Sequence, residues 1–369
     1  IMDSITQFAL GATVSGILLG PRIGARKAVL LGGVLGTLPD LDTFFPVADA
    51  VESFTAHRSA THSVFMQAIA TPVIAEPLVR WVHGLRDARA LTYAAVYLVL
   101  VTHALIDAMT VYGTQLLWPL VDTPFGVGSI FIIDPLYTLP LLIMTLWGLF
   151  VAQWSTRFAR AIKGALAIST AYMLLTIPLQ QMMYARAHDV LQAEGITPER
   201  QLTIPTPFNV LYWRTIAIDG ERLINLDMPL LGDASASLAY EHTRRPDLAG
   251  CLTGTSIFDK LAAFTKGFYR LELDGKRVIM SDLRMGLTPN HVFRFHIANA
   301  TPDGAAPISP PTREAVVRGT DGDIAWIMAG IRQDPTPRPA EQDTELALNG
   351  TPGDGTQLAM AGCTSTLGS

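Results

Sequence analysis

Two short stretches hold most of the residues able to do chemistry. Pro39-Asp40-Leu41-Asp42 and His57-Arg58-Ser59-Ala60-Thr61-His62-Ser63 fall close together between strongly apolar segments. His103 and Asp107 follow near the end of a later apolar segment, four apart, so a helix puts them on one face. Asp40 and Asp42 come just after a proline that ends a helical run. His57 and His62 sit in a loop running into a helix, with Thr61 placed to cap it. Imidazole and carboxylate together make a mixed N/O donor set that suits Zn²⁺, with Mn²⁺ or Fe²⁺ also accommodated. The ligand candidates Asp40, Asp42, His57, His62, His103 and Asp107 exceed what one tetrahedral zinc needs, so one or two ions are expected. Arg58 is a candidate for contacting a phosphate oxygen, because guanidinium matches phosphate geometry. Asp3 and Asp134 are candidates for orienting water or a His ligand. His83, His188, His242, His291 and His296 read as ordinary packed or hydrogen-bonded residues.

The elements that must position these residues are apolar. The chain has 369 residues, 49% hydrophobic and 16% charged, against about 25% charged in an ordinary soluble domain. The deficit lies in the first half. Apolar segments run over about 4–20, 28–45, 63–82, 91–111, 130–153 and 162–183. A membrane helix needs about 20 apolar residues, and the last four segments meet that length. The first two are shorter and glycine-rich, which favours a tight helical hairpin. The protein reads as starting at Met2, after Ile1, with no cleavable signal peptide because a basic n-region is missing.

Lys and Arg set the expected orientation. Arg22, Arg26 and Lys27 follow the first segment, Arg86 and Arg89 the third, and Arg157, Arg160 and Lys163 the fifth. Those loops are expected in the cytoplasm, and the alternate loops, the N-terminus and everything after the sixth segment outside. Each ligand candidate then falls on the outer face, although the topology was set by basic residues alone. Ionisable groups at membrane depth are costly and functional by default, and Asp107 in an apolar helix calls for a partner cation.

After about residue 184 charge rises and proline and glycine punctuate short segments. Alternation predicts strands over 202–218, 268–282 and 291–298, with Asp274-Gly275 as a hairpin turn and a short helix over 255–267. The expected fold is a membrane α-helical bundle of about six helices over 2–185, a small β-rich α+β extramembrane domain over 186–332, and a poorly ordered tail over 333–369. Trp213, Arg214 and Arg284 are candidates for binding substrate on that outer domain, with Asp282 beside them. Cys251 and Cys363 can pair if they face an oxidising compartment. The net charge of −5 gives no footprint for nucleic acid. No organic cofactor is expected, and the oligomeric state is not readable.

These residues carry a resemblance. Met2-Asp3-Ser4-Ile5-Thr6, Leu38-Pro39-Asp40-Leu41-Asp42, the paired-His stretch 57–63, His103-Ala104-Leu105-Ile106-Asp107 with Tyr112-Gly113, and Ile133-Asp134-Pro135-Leu136 resemble the membrane-bound metal-dependent hydrolase family, YdjM-like, whose best-known relatives are LexA-regulated inner-membrane proteins. The resemblance covers about residues 2–185. The family pattern often has a His after the first Thr, where this chain has Gln7. A weaker likeness, through the His-x-x-x-Asp helix, is to zinc-dependent phospholipase C and nucleases, and it implies a phosphoester substrate.

The resulting expectation is a multi-pass protein of the bacterial inner membrane, its site facing the periplasm, that hydrolyses a phospholipid or lipid-linked phosphoester with a metal that activates water. An amide or ester hydrolase or a transferase would use the same chemistry. An ion or metal transporter and an envelope structural protein are the non-enzyme alternatives; transport residues belong near mid-membrane, whereas these lie at one edge.

Overall fold

The structure, a computed structural model, describes residues 4–44, 47–151, 153–232, 237–302, 304–316 and 319–343. It divides into two units: residues 1–45, 57–180 and 207–210, and residues 46–56, 181–206 and 211–369.

The first unit is helical. It contains α1 (Ser4–Ile23), α2 (Ala25–Thr37), α4 (Val64–Trp81), α5 (Arg89–Met109), α6 (Pro135–Phe150) and the first part of α7 (Thr156–Ala193). Among the described residues, α1, α5 and α7 are long and apolar enough to cross a membrane, and α6 is a shorter apolar helix. Of the six expected spans, α2 has 13 residues, below the spanning length, because Gly24 and Pro39 bracket it. Large apolar side chains such as Ile69, Val73, Ile143 and Phe150 lie on the unit's surface, as a lipid-facing surface requires.

α1 packs against α2, α5 and α6, around a core that includes Leu10, Val14, Val99, Leu100 and Leu141. The hairpin with α2 is closed by glycine: a Cβ at Gly11 or Gly32 would collide with the carbonyl oxygen of the other. That approach holds the end of α2, and the Pro39–Phe44 3₁₀ turn after it, beside α5.

The second unit contains two antiparallel four-stranded sheets. One runs in the order β1 (Arg200–Pro205), β2 (Tyr212–Asp219), β3 (Arg222–Pro229), β4 (Leu238–Thr243). The other is built from β5 (Tyr269–Asp274), β6 (Arg277–Asp282), β9 (Arg294–Thr301) and β10 (Gly304–Arg313), in the order β10-β9-β6-β5. A small pair, β7 (Gly286–Leu287) and β8 (Asn290–His291), and helices α8 (Ser256–Phe264) and α9 (Asp323–Ile331) complete it. The Asp274-Gly275 hairpin forms as expected, with Gly275 at φ 61°. The strand expected over 202–218 is instead two strands, broken at Pro205-Thr206-Pro207.

Two further features differ from expectation. α3 (Ala50–Ala56), in the stretch between Asp42 and His57, belongs to the second unit, where Phe54 packs on Phe264, Phe293 and Phe295. Residues 333–343, expected in a poorly ordered tail, supply fully buried Arg338 and Glu341. Glu341 pairs with Arg214 at 2.6 Å and accepts from His242 Nε2 at 2.6 Å. Composition cannot show such pairing, which satisfies charges that burial would otherwise penalise. Cys251 is disulfide-bonded; Cys363 and the rest of the tail lie outside the described residues.

Because the Gly11–Gly32 approach leaves no room for a side chain, Gly32→Val should lower stability by about 1–3 kcal/mol or more. Gly164→Val is the control, since a Cβ there meets nothing within 4 Å. Thermal unfolding in detergent measures both, and equal effects would contradict this packing.

Candidate metal centre

Four ligand atoms converge in the first unit. Asp40 comes from the 3₁₀ turn after α2, His62 from a short 3₁₀ turn (Ala60–His62) before α4, and His103 and Asp107 from one face of α5. One atom from each lies within 4.8 Å of every other. His62 Nε2 is 3.4 Å from Asp40 Oδ1 and 3.3 Å from Asp107 Oδ2. His103 Nε2 is 3.5 Å from each of the same two oxygens and 3.0 Å from His62 Nε2. Zinc bonds of about 2.0–2.1 Å to N and O separate tetrahedral ligand atoms by about 3.3 Å, so the spacing fits one ion.

The hydrogen bonds behind the group fix which nitrogens face inward. His103 Nδ1–H donates to the Gly36 carbonyl at 2.6 Å, one of the carbonyls a helix C-terminus leaves unpaired. Thr61 Oγ1–H donates to Asp42 Oδ2 at 2.9 Å, so its oxygen accepts from His62 Nδ1–H, also at 2.9 Å. With both Nδ1 atoms protonated, both Nε2 atoms present lone pairs to one another. Asp40 Oδ1 and Asp107 Oδ2 are buried with no hydrogen-bond partner among the described residues. Four inward-facing acceptors call for positive charge at their centre, as a divalent cation or as protons on the imidazoles. The donor set and spacing fit Zn²⁺, Mn²⁺ or Fe²⁺.

Arg58 is fully buried and held at φ 64°, in the left-handed region. Its Nη2 pairs with Asp107 Oδ1 at 2.8 Å, its Nη1 donates to the Asp107 carbonyl and to Thr110 Oγ1, and it lies over the Tyr112 ring. Gln7 Nε2 donates to the same Asp107 oxygen at 2.8 Å. One carboxylate oxygen is thereby committed to Arg58 and Gln7, leaving the other for the centre.

His57 and Asp42, expected as ligands, stand outside the four-atom group and pair with each other, Nδ1 to Oδ1 at 2.8 Å. They form the more open edge, with side-chain exposures of 13% and 14%; Asp40 at 17% is the ligand that solvent reaches. Burial raises the Asp42 carboxyl pKa, but its hydrogen bond to His57 outweighs burial and lowers it.

The remaining candidates lie elsewhere. Asp134 caps α6, accepting from Leu136 N and Tyr137 N and from the Tyr172 hydroxyl at 2.8 Å. It lines, with Gln7 and Asp107, a cavity of about 20 Å³, room for about one water. Asp3 lies outside the described residues. Trp213 is fully buried in the second unit. Arg214 is buried against Asp227 at 2.7 Å, and Arg284 against Asp282 at 2.7 Å and over the Phe264 ring. Thr61 does not cap α4, because Ser63 does, accepting from Met66 N. Sequence reasoning missed Thr61 as the residue orienting His62, and Gly36 as the one orienting His103. Gln7 was marked only by standing where the family pattern often has His.

A buried two-His, two-Asp group with the donor set and spacing to hold a metal ion lies in a helical unit with candidate membrane spans. This chain belongs to the YdjM inner membrane protein family, whose model matches residues 2–186; the matched region contains all four converging residues. Comparison with curated proteins and with solved structures returns no match.

Since Thr61 fixes the His62 tautomer, Thr61→Val should weaken metal affinity by about 10–100-fold with the fold intact. Competition with a chromophoric chelator measures this, and an unchanged affinity would contradict the orienting role.

Proposed function

We propose that this chain is a multi-pass metallohydrolase of the inner membrane, its centre facing the periplasm, acting on a phospholipid or a lipid-linked phosphoester. The observation that carries the reading is the convergence of Asp40, His62, His103 and Asp107, with unpartnered oxygens and oriented imidazoles, beside a partly exposed His–Asp pair. The outward orientation rests on the distribution of Lys and Arg along the chain. The phosphoester substrate rests on the likeness of the His-x-x-x-Asp helix to zinc phospholipases. The six apolar segments would all be embedded, the short α2 buried against α1.

Asp40, His62, His103 and Asp107 would hold the ion, which supplies Lewis-acid polarisation and activates water near neutral pH. The chain's own residues do the rest. Gly36 and Thr61 keep both Nε2 atoms aimed at the centre. Arg58 neutralises one Asp107 oxygen, which lets a carboxylate remain charged while buried. His57, held through Nδ1 by Asp42 at the open edge, is placed to take and return a proton at Nε2.

A second reading has an observation in its favour. Four protein ligands fill a tetrahedral zinc, as structural sites do, whereas catalytic sites usually keep one position open. Asp40, as the partly exposed ligand, is the one that must yield or share its place for catalysis.

One pair of variants separates the readings. His57→Ala should keep bound metal and fold but lower the turnover of a lipid panel, followed by mass spectrometry of released headgroups, by about 10²–10⁴-fold. His62→Ala should lose the metal and the activity together. Wild-type protein that binds metal, with no lipid turned over by it and spared in the variants, would leave the structural reading standing and overturn the enzyme.

A further inference from the structure

The second unit has a basic cavity that the metal centre does not use. It measures about 480 Å³, within the range of small-molecule sites. Arg200 at the start of β1, Arg244 just after β4 and Lys266 in the turn after α8 line it, with Tyr269 and Glu199. Several other guanidinium groups in this unit are matched: Arg214 with Asp227, Arg245 with Asp247, Arg284 with Asp282 and Arg338 with Asp323. None of the three cations round the cavity has an ion-pair partner among the described residues. Arg244 is the most telling. It is only 9% exposed, its Nε is buried without a hydrogen-bond partner among the described residues, and its guanidinium lies 5.0 Å over the Tyr269 ring. A buried cation without an anion is costly, and the single carboxylate here, Glu199, is exposed and leaves the cavity with a surplus of positive charge.

We propose that this cavity binds a phosphate group carried by an organic ligand. Three cations arriving from three separate elements suit a tetrahedral oxyanion, with oxygens in several directions, better than a planar carboxylate. Guanidinium is the group that meets phosphate through paired hydrogen bonds. The volume exceeds that of the anion alone, and Ala262, Ala263 and the Tyr269 ring offer an apolar wall for the remainder of the ligand. A soluble phosphoester and a phospholipid headgroup share this chemistry. All of the residues belong to the second unit, so the proposal stands or falls independently of the metal centre.

The test is calorimetric titration of the full chain in detergent with glycerol 3-phosphate, with dihexanoyl phosphatidylglycerol and with dihexanoyl glycerol, which lacks the phosphate. Saturable binding of either phosphate-bearing probe, and none of dihexanoyl glycerol, is expected. Tighter binding of the lipid identifies a headgroup site, and tighter binding of glycerol 3-phosphate a soluble ligand. Arg244→Gln should weaken binding by about tenfold or more, and the exposed Arg200→Gln and Lys266→Gln by about threefold or more, because each removes a charge-assisted contact. The exposed pair keeps the test valid if Arg244→Gln does not fold. Absence of saturable binding, equal binding of dihexanoyl glycerol, or affinities that Arg200→Gln and Lys266→Gln leave unchanged would overturn the proposal.

Discussion

The first unit depends on one electrostatic constraint. Two imidazole lone pairs and two carboxylate oxygens are buried facing one another, an arrangement that repels itself without positive charge at its centre. The surrounding architecture increases the demand for that charge: Gly36 and Thr61 fix both Nδ1 protons on the far side of the rings. Arg58 offsets part of the negative charge, but from behind Asp107 and with both terminal nitrogens already engaged. What remains at the centre is a place for a cation.

The helices serve that constraint. The glycine contact between α1 and α2 sets where α2 ends, and the end of α2 delivers both the Gly36 carbonyl and Asp40. α5 contributes His103 and Asp107 one turn apart, and its Asp107 carbonyl and Thr110 receive Arg58. α1 adds Gln7 against Asp107. Contacts that look like ordinary helix packing therefore determine the angle from which each ligand arrives.

Much of the centre was legible in the sequence, and for definite reasons. The four-residue spacing of His103 and Asp107 and the helix-ending Pro39 are local rules that tertiary packing did not override. The paired-His stretch and its neighbours carried the family resemblance. Ligands were harder to separate from their supports. His57 and Asp42 are of the same residue types as the ligands, and only three-dimensional placement shows that they pair with each other. Arg58 was expected to contact a phosphate oxygen; its left-handed backbone and its burial against Asp107 leave no trace in composition. In the second unit the Asp274-Gly275 turn was readable, whereas α3 and the buried Arg338 and Glu341 were not, since their place depends on long-range partners.

The measurement that bears most directly on the centre is X-ray absorption spectroscopy, with elemental analysis, of the full chain purified without chelator. The expected result is one divalent ion per chain in a shell of nitrogen and oxygen at about 2.0–2.1 Å for zinc, with the outer-shell scattering of two imidazoles. A protein without stoichiometric metal, or an ion whose shell shows no imidazole, would contradict the assignment of Asp40, His62, His103 and Asp107 as its ligands.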